Sequence, residues 1–140
     1  MTTPRPTALT LHEADVQWSA IRAQGPGEAP QVARDFFERE YRLDYRIHTF
    51  PKPLLCWGHG IVMGGGIGLM SGASHRVATP RTRMAMPEVA IGLYPDVGGS
   101  WLLARTPGRI GPFLALTGAH INAADALFAG LADFALAHES

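Results

Sequence analysis

The sequence predicts an α/β fold in a single domain. Three observations carry that reading: short apolar runs alternate with helical patterns, a glycine cluster sits where a strand would hand over to a helix, and 140 residues suit one domain. Residues 1–11 offer no more than a strand tail over 8–11, and QGPGEAP at 24–30 reads as a linker loop from its Pro and Gly content. Residues 31–48 then read as an amphipathic helix. Val32, Phe36, Leu43 and Ile47 form one stripe, widened by Ala33, Phe37 and Tyr41. On the outer face Arg34 with Glu38, Asp35 with Arg39 and Glu38 with Arg42 are opposite charges four apart. Pro51 and Pro53 stop the helix, since neither can continue it.

Beyond the prolines the elements shorten. Residues 54–57 predict a strand, which 61–63 would extend past the kink at Gly58-His59-Gly60. Gly65 to Ser71 predicts a helix, 75–78 a second strand, and 82–86 a third that Pro87 stops. Residues 97–105 read as a helix with Asp96 as its N-cap. A short helix follows over 109–117. Asn122 with Asp125 three residues on gives the start of another, which runs over 123–129 and stops at Gly130. Residues 131–136 return as a strand.

Composition excludes several classes. Net charge is zero with no basic run, so there is no electrostatic footprint for nucleic acid. Charged residues make up 17%, against roughly 25% in an average soluble domain, so part of the surface is expected to meet other protein, as in a homo-oligomer. The single cysteine, Cys56, allows no internal disulfide and offers no metal-ligand spacing. The most apolar run, 54–70, holds six glycines and falls short of the ~20 residues that span a bilayer. No membrane association, no metal and a cytoplasmic location are expected.

The chemistry concentrates in two stretches, GIVMGGGIG (60–68) and EVAIGLYPD (88–96). Glycines between a strand and a helix let backbone N–H groups approach a ligand atom with no Cβ in the way, which is how an oxyanion is held. The same glycines would equally serve close packing of helix on sheet, and composition leaves both readings standing. The P-loop pattern fails outright, and Gly66-x-Gly68 followed by Ser71 matches a dinucleotide fingerprint poorly. Glu88 lies in MAMPEVAIGL with almost nothing polar beside it, which favours a functional acid. Asp96 by itself reads as a helix cap. His59, His75 and His120 have no mutual spacing that suggests a metal, and Ser71 and Ser74 lack a nucleophile-elbow context.

The string from about Phe36 to Gly130, with H-G-x-x-M-G-G-G-x-G and M-P-E-x-x-I-G-x-x-P-D-V-G-G, resembles the crotonase (enoyl-CoA hydratase/isomerase) superfamily. The resemblance implies a partial spiral of ββα units over 31–136, a poorly matched segment over 1–30, and a chain truncated at both ends. It also implies oligomers and an acyl-CoA substrate, with CoA as part of that substrate and no other cofactor. Carried onto this chain, Gly65 would give one oxyanion N–H beside Gly64, Glu88 falls on the catalytic glutamate, and Asp96 falls on the aspartate of the hydrolase members. Hydratases place a second glutamate where this sequence has Gly68. Hydrolysis of a short 3-hydroxyacyl-CoA thioester is therefore the expected activity; alternatives are a hydratase or isomerase, and an inactive fragment or assembly module. The other oxyanion donor would come from His12-Glu13-Ala14-Asp15, where a bulky His12 replaces a small residue.

Overall fold

A computed structural model describes residue 27 and residues 30–137. The expectations placed on residues 8–11 and on His12 to Asp15 lie outside the described residues. Contacts divide the chain into two units, Met1–Arg39 and Glu40–Ser140, and the first described helix, α1 (Gln31–His48), runs across that division. Its ends fall where the sequence places them. The apolar stripe holds less well, because Val32 is 42% exposed while Ala33 is buried.

The second unit is built from corners. Strand β1 (Leu55–Gly58) leads through Gly60, at φ 77°, into β2 (Ile61–Met63), which belongs to a different sheet and does not extend β1. Helix α2 (Gly65–Ser71) returns the chain, and β3 (His75–Ala78) then pairs parallel with β1 in the register Leu55 to His75. A second corner leads into β4 (Arg83–Ala85), parallel to β2. The two corners are stacked and bonded to each other. Thr82 Oγ1 donates to the Gly58 carbonyl, the Arg83 N–H donates to the Gly60 carbonyl at 2.8 Å, and the Thr79 N–H donates to Thr82 Oγ1 at 2.7 Å. Thr79 and Thr82 are fully buried, so these bonds satisfy groups that would otherwise be stranded away from water. One ββα turn therefore lies on the next, which is the spiral that the resemblance implied.

After β4 come a 3₁₀ turn (Pro87–Ile91), α3 (Gly99–Leu103), α4 (Ile110–Thr117), α5 (Ala123–Phe128) and β5 (Phe134–Ala135). The expected box at Asn122 is present: Asn122 Oδ1 accepts from the Ala124 and Asp125 N–H groups, and Asp125 Oδ2 accepts from the Asn122 N–H. Strand β5 is shorter than the 131–136 expected, and joins β3 through Val77 to Phe134. A forked ion pair from Arg76 to Asp133, with N···O distances of 2.6 and 3.0 Å, holds that junction. The core between the elements includes Val62, Ile67, Met70, Met84, Met86 and Leu114.

The helix expected over 97–105 is the clearest miss. It begins two residues later, and its N-cap is Gly98, not Asp96. Val97 and Gly98 both take positive φ, 44° and 79°, and two such residues in succession keep the chain out of a right-handed helix until Gly99. That leaves the Asp96 side chain without a capping role.

Candidate active site

Pro87 opens the 3₁₀ turn, and its fixed φ suits a first helical position. The turn closes at Gly92, whose N–H reaches the Glu88 and Val89 carbonyls. Glu88 is thereby fixed in the interior, with 7% of its surface exposed. Its Oε1 lies so close to Gly64 that a Cβ there would sit 2.9 Å away, and its Oε2 is buried with no hydrogen-bond partner among the described residues. Burial raises its pKa and the charge on Asp96 adds to the rise, while its own backbone N–H pulls the other way. Gly65 is the first residue of α2, so its N–H has no intrahelical acceptor. The structure thus brings Gly64, Gly65 and Glu88 together.

Asp96 is half-buried, and its Oδ2 accepts from the Tyr41 hydroxyl at 3.0 Å. It lines a cavity of about 580 Å³ whose wall includes Tyr41, Asp44, Gly68, Tyr94 and Trp101. Two acids that the sequence reading missed join it. Glu40 lies against Gly65, where an added Cβ would meet its Oε1, and burial together with Asp44 and Asp96 pushes it up to about 7. Asp44 is pushed up to about 6 by burial and by Asp96, and both its carboxyl oxygens are buried without a partner among the described residues. A sequence signal existed: Glu40 and Asp44 are like charges four apart on one helix face, which is unfavourable unless the site has a use for them.

The glycines divide between the two readings. Gly64 and Gly65 face carboxyls, whereas Gly58 packs against Met70 and Gly68 against Val97. His59 bonds Thr79 Oγ1 at the stacked corners, and His75 stacks on Phe134. Ser71 and Ser74 hydroxyls donate to the Gly68 and Leu54 carbonyls. His59, His75 and Ser74 thus have structural places, while Ser71 lines the cavity that Asp44 and Asp96 share.

The acids make stability fall with pH. A carboxyl that holds its proton more tightly folded than unfolded favours the fold while protonated. For Glu40 and Asp44 that contribution is complete below the ordinary values of 4.5 and 3.8, and it is lost as pH rises through about 6 and then 7. Asp133, lowered by its hydrogen bond from Arg76, acts oppositely but below its ordinary 3.8, outside this window. The melting temperature is expected to be higher at pH 5 than at pH 8, with Glu40→Gln flattening the slope. Calorimetry that shows stability rising over this range would contradict the cluster.

A parallel spiral of ββα turns is the fold of the crotonase class. The chain belongs to the enoyl-CoA hydratase/isomerase family, whose model matches residues 14–140. The mitochondrial 3-hydroxyisobutyryl-CoA hydrolase of Gallus gallus is 52% identical over 101 residues, covering 72% of this chain and 26% of that protein. The small ribosomal subunit protein mS47 of Neurospora crassa is 46% identical over 110 residues, covering 79% and 22%. Among solved structures, an enoyl-CoA hydratase from Rhodobacter sphaeroides matches with a TM-score of 0.71 and 52% identity over 74% of this chain and 31% of its own. A carnitinyl-CoA dehydratase from Mycobacterium thermoresistibile matches with 0.78 and 46% over 89% and 35%. The chain spans about a quarter of the length of the curated relatives it matches.

Proposed function

We propose that this chain carries the catalytic segment of an acyl-CoA thioester hydrolase, acting on a short 3-hydroxyacyl-CoA such as 3-hydroxyisobutyryl-CoA. The observation that carries the reading is the buried Glu88 carboxyl against the Gly64-Gly65 turn, with no side chain at Gly68 to supply a second acid. The thioester carbonyl oxygen would face the Gly65 N–H, which stabilises the negative charge that develops on it. Glu88 then acts in one of two ways. As a base it takes a proton from water while the water oxygen bonds to the carbonyl carbon; as a nucleophile it bonds to that carbon itself and water later releases the acid. In both, the carbon–sulfur bond breaks, the electron pair leaves on sulfur, and the CoA thiolate takes up a proton. Asp96, held by Tyr41, would orient the water or share the proton. No metal or redox cofactor enters this chemistry, and the family's habit of oligomerising makes self-association part of the proposal.

The names of the solved relatives favour a hydratase, which the absence of a second acid at Gly68 opposes. The likeness to a ribosomal subunit protein favours an assembly module. Thiol release from 3-hydroxyisobutyryl-CoA is expected to exceed double-bond loss from crotonyl-CoA. The reverse order would make the chain a hydratase, and the absence of both reactions would favour the module.

A further inference from the structure

We propose that Val97 is a positioning residue for Asp96, and that Gly68 is bare so that Val97 can be seated on it. The inference rests on the hydrolase reading only for what Asp96 does, not for where it is held. Val97 is a β-branched residue at φ 44°, a conformation such residues almost never adopt without compensation. Its side chain is 6% exposed and rests on α2: a Cβ at Gly68 would lie 2.5 Å from Val97 Cβ and 2.7 Å from its Cγ2. The hollow at Gly68 is therefore filled by Val97 from another turn of the spiral.

The rest of the loop is tied on both sides of this contact. The Pro95 carbonyl accepts from the Ser100 N–H and hydroxyl, and the Asp96 carbonyl accepts from the Gly99 N–H. The Val97 φ sets how the peptide leaves Asp96, and so where its carboxyl points in the cavity. A glycine at 97 would take the same φ without strain but would have nothing to seat on α2. That a strained valine stands there, locked into a matching hollow, is what a device for holding its neighbour requires. Strain of this kind gathers where geometry must be kept.

The test uses Gly68→Ala, Val97→Gly and their combination in the full chain. The readouts are melting temperature, kcat and KM on 3-hydroxyisobutyryl-CoA, and the NMR signal of the Tyr41 ring carbon that bears the hydroxyl. Gly68→Ala is expected to lower the melting temperature and to shift the Tyr41 signal as Asp96 moves. It should also cut kcat on the order of 10²-fold, as a misplaced group does, with KM within about twofold. Val97→Gly relieves the strain but empties the hollow, so its melting temperature should fall by no more than that of Gly68→Ala, while it loses kcat and shifts Tyr41. In the double variant stability should recover while kcat and the Tyr41 signal do not. Recovery of kcat together with stability, or wild-type kcat and an unmoved Tyr41 signal in Val97→Gly, would make Val97 mere packing and overturn the inference. Should the wild type not hydrolyse the thioester, the hydrolase reading fails, and the Tyr41 signal in the same variants still decides whether Val97 positions Asp96.

Discussion

Glu88→Gln is expected to lower thioesterase turnover by at least ~10²-fold, the usual loss when a general acid or base is removed, and to leave the melting temperature nearly unchanged. Glutamine keeps the length and shape that fit against Gly64. It removes a carboxyl that burial already makes reluctant to ionise and that forms no ion pair among the described residues. Asp96→Asn makes the companion measurement sharper now that Gly98 is the N-cap of α3. Asparagine can still accept the Tyr41 hydroxyl, and no cap is lost, so stability should hold while turnover falls. Steady-state kinetics beside thermal melts reads both. Full activity in the two variants would sink the proposed site.

The largest expected effect on stability is at Gly111, inside α4. A Cβ there would collide with the Leu103 carbonyl oxygen and lie 2.8 Å from Thr106 Oγ1. Both neighbours are fixed, because that carbonyl already accepts the Thr106 N–H and hydroxyl. Alanine favours a helix interior over glycine by about 0.5–1 kcal/mol. Overpacking against atoms that cannot yield costs about 1–3 kcal/mol and occasionally more. The clash wins. Gly111→Ala should lose about 2 kcal/mol or more, and each kcal/mol lowers the melting temperature by about 2–4 °C in a chain close to 150 residues. A melting temperature equal to or above wild type would show that α3 and α4 separate freely.

What was legible in the sequence is what short-range chemistry decides. The extent of α1, the helix beginning at Gly65 and the Asn122–Asp125 box all rest on residues within a few positions of one another. The path from β1 to β2 was misread because its bend is held from outside: the bonds that fix Gly58 and Gly60 come from Thr82 and Arg83, over twenty residues away. The late start of α3 follows from a valine in a conformation that no local preference would choose for it. Glu88 stood out because its neighbours are apolar. Glu40 and Asp44 did not, because they sit among the charges of α1 and become a site only when Gly65 and Asp96 are folded against them.

The forked Arg76–Asp133 pair has a consequence for the order in which this fold assembles. The contacts that join β1 to β3 link residues 20 apart, while those that join β3 to β5 span 57. Chain closure grows costlier with the logarithm of loop length, so the longer loop is harder to close by about 0.9 kcal/mol. Strand β5 is two residues long and offers few ladder bonds in return. Its docking is therefore expected to be a late step of assembly, held by the Arg76–Asp133 pair, the His75–Phe134 stack and a few backbone bonds, and amide exchange at β5 should run ahead of that at β1 and β3.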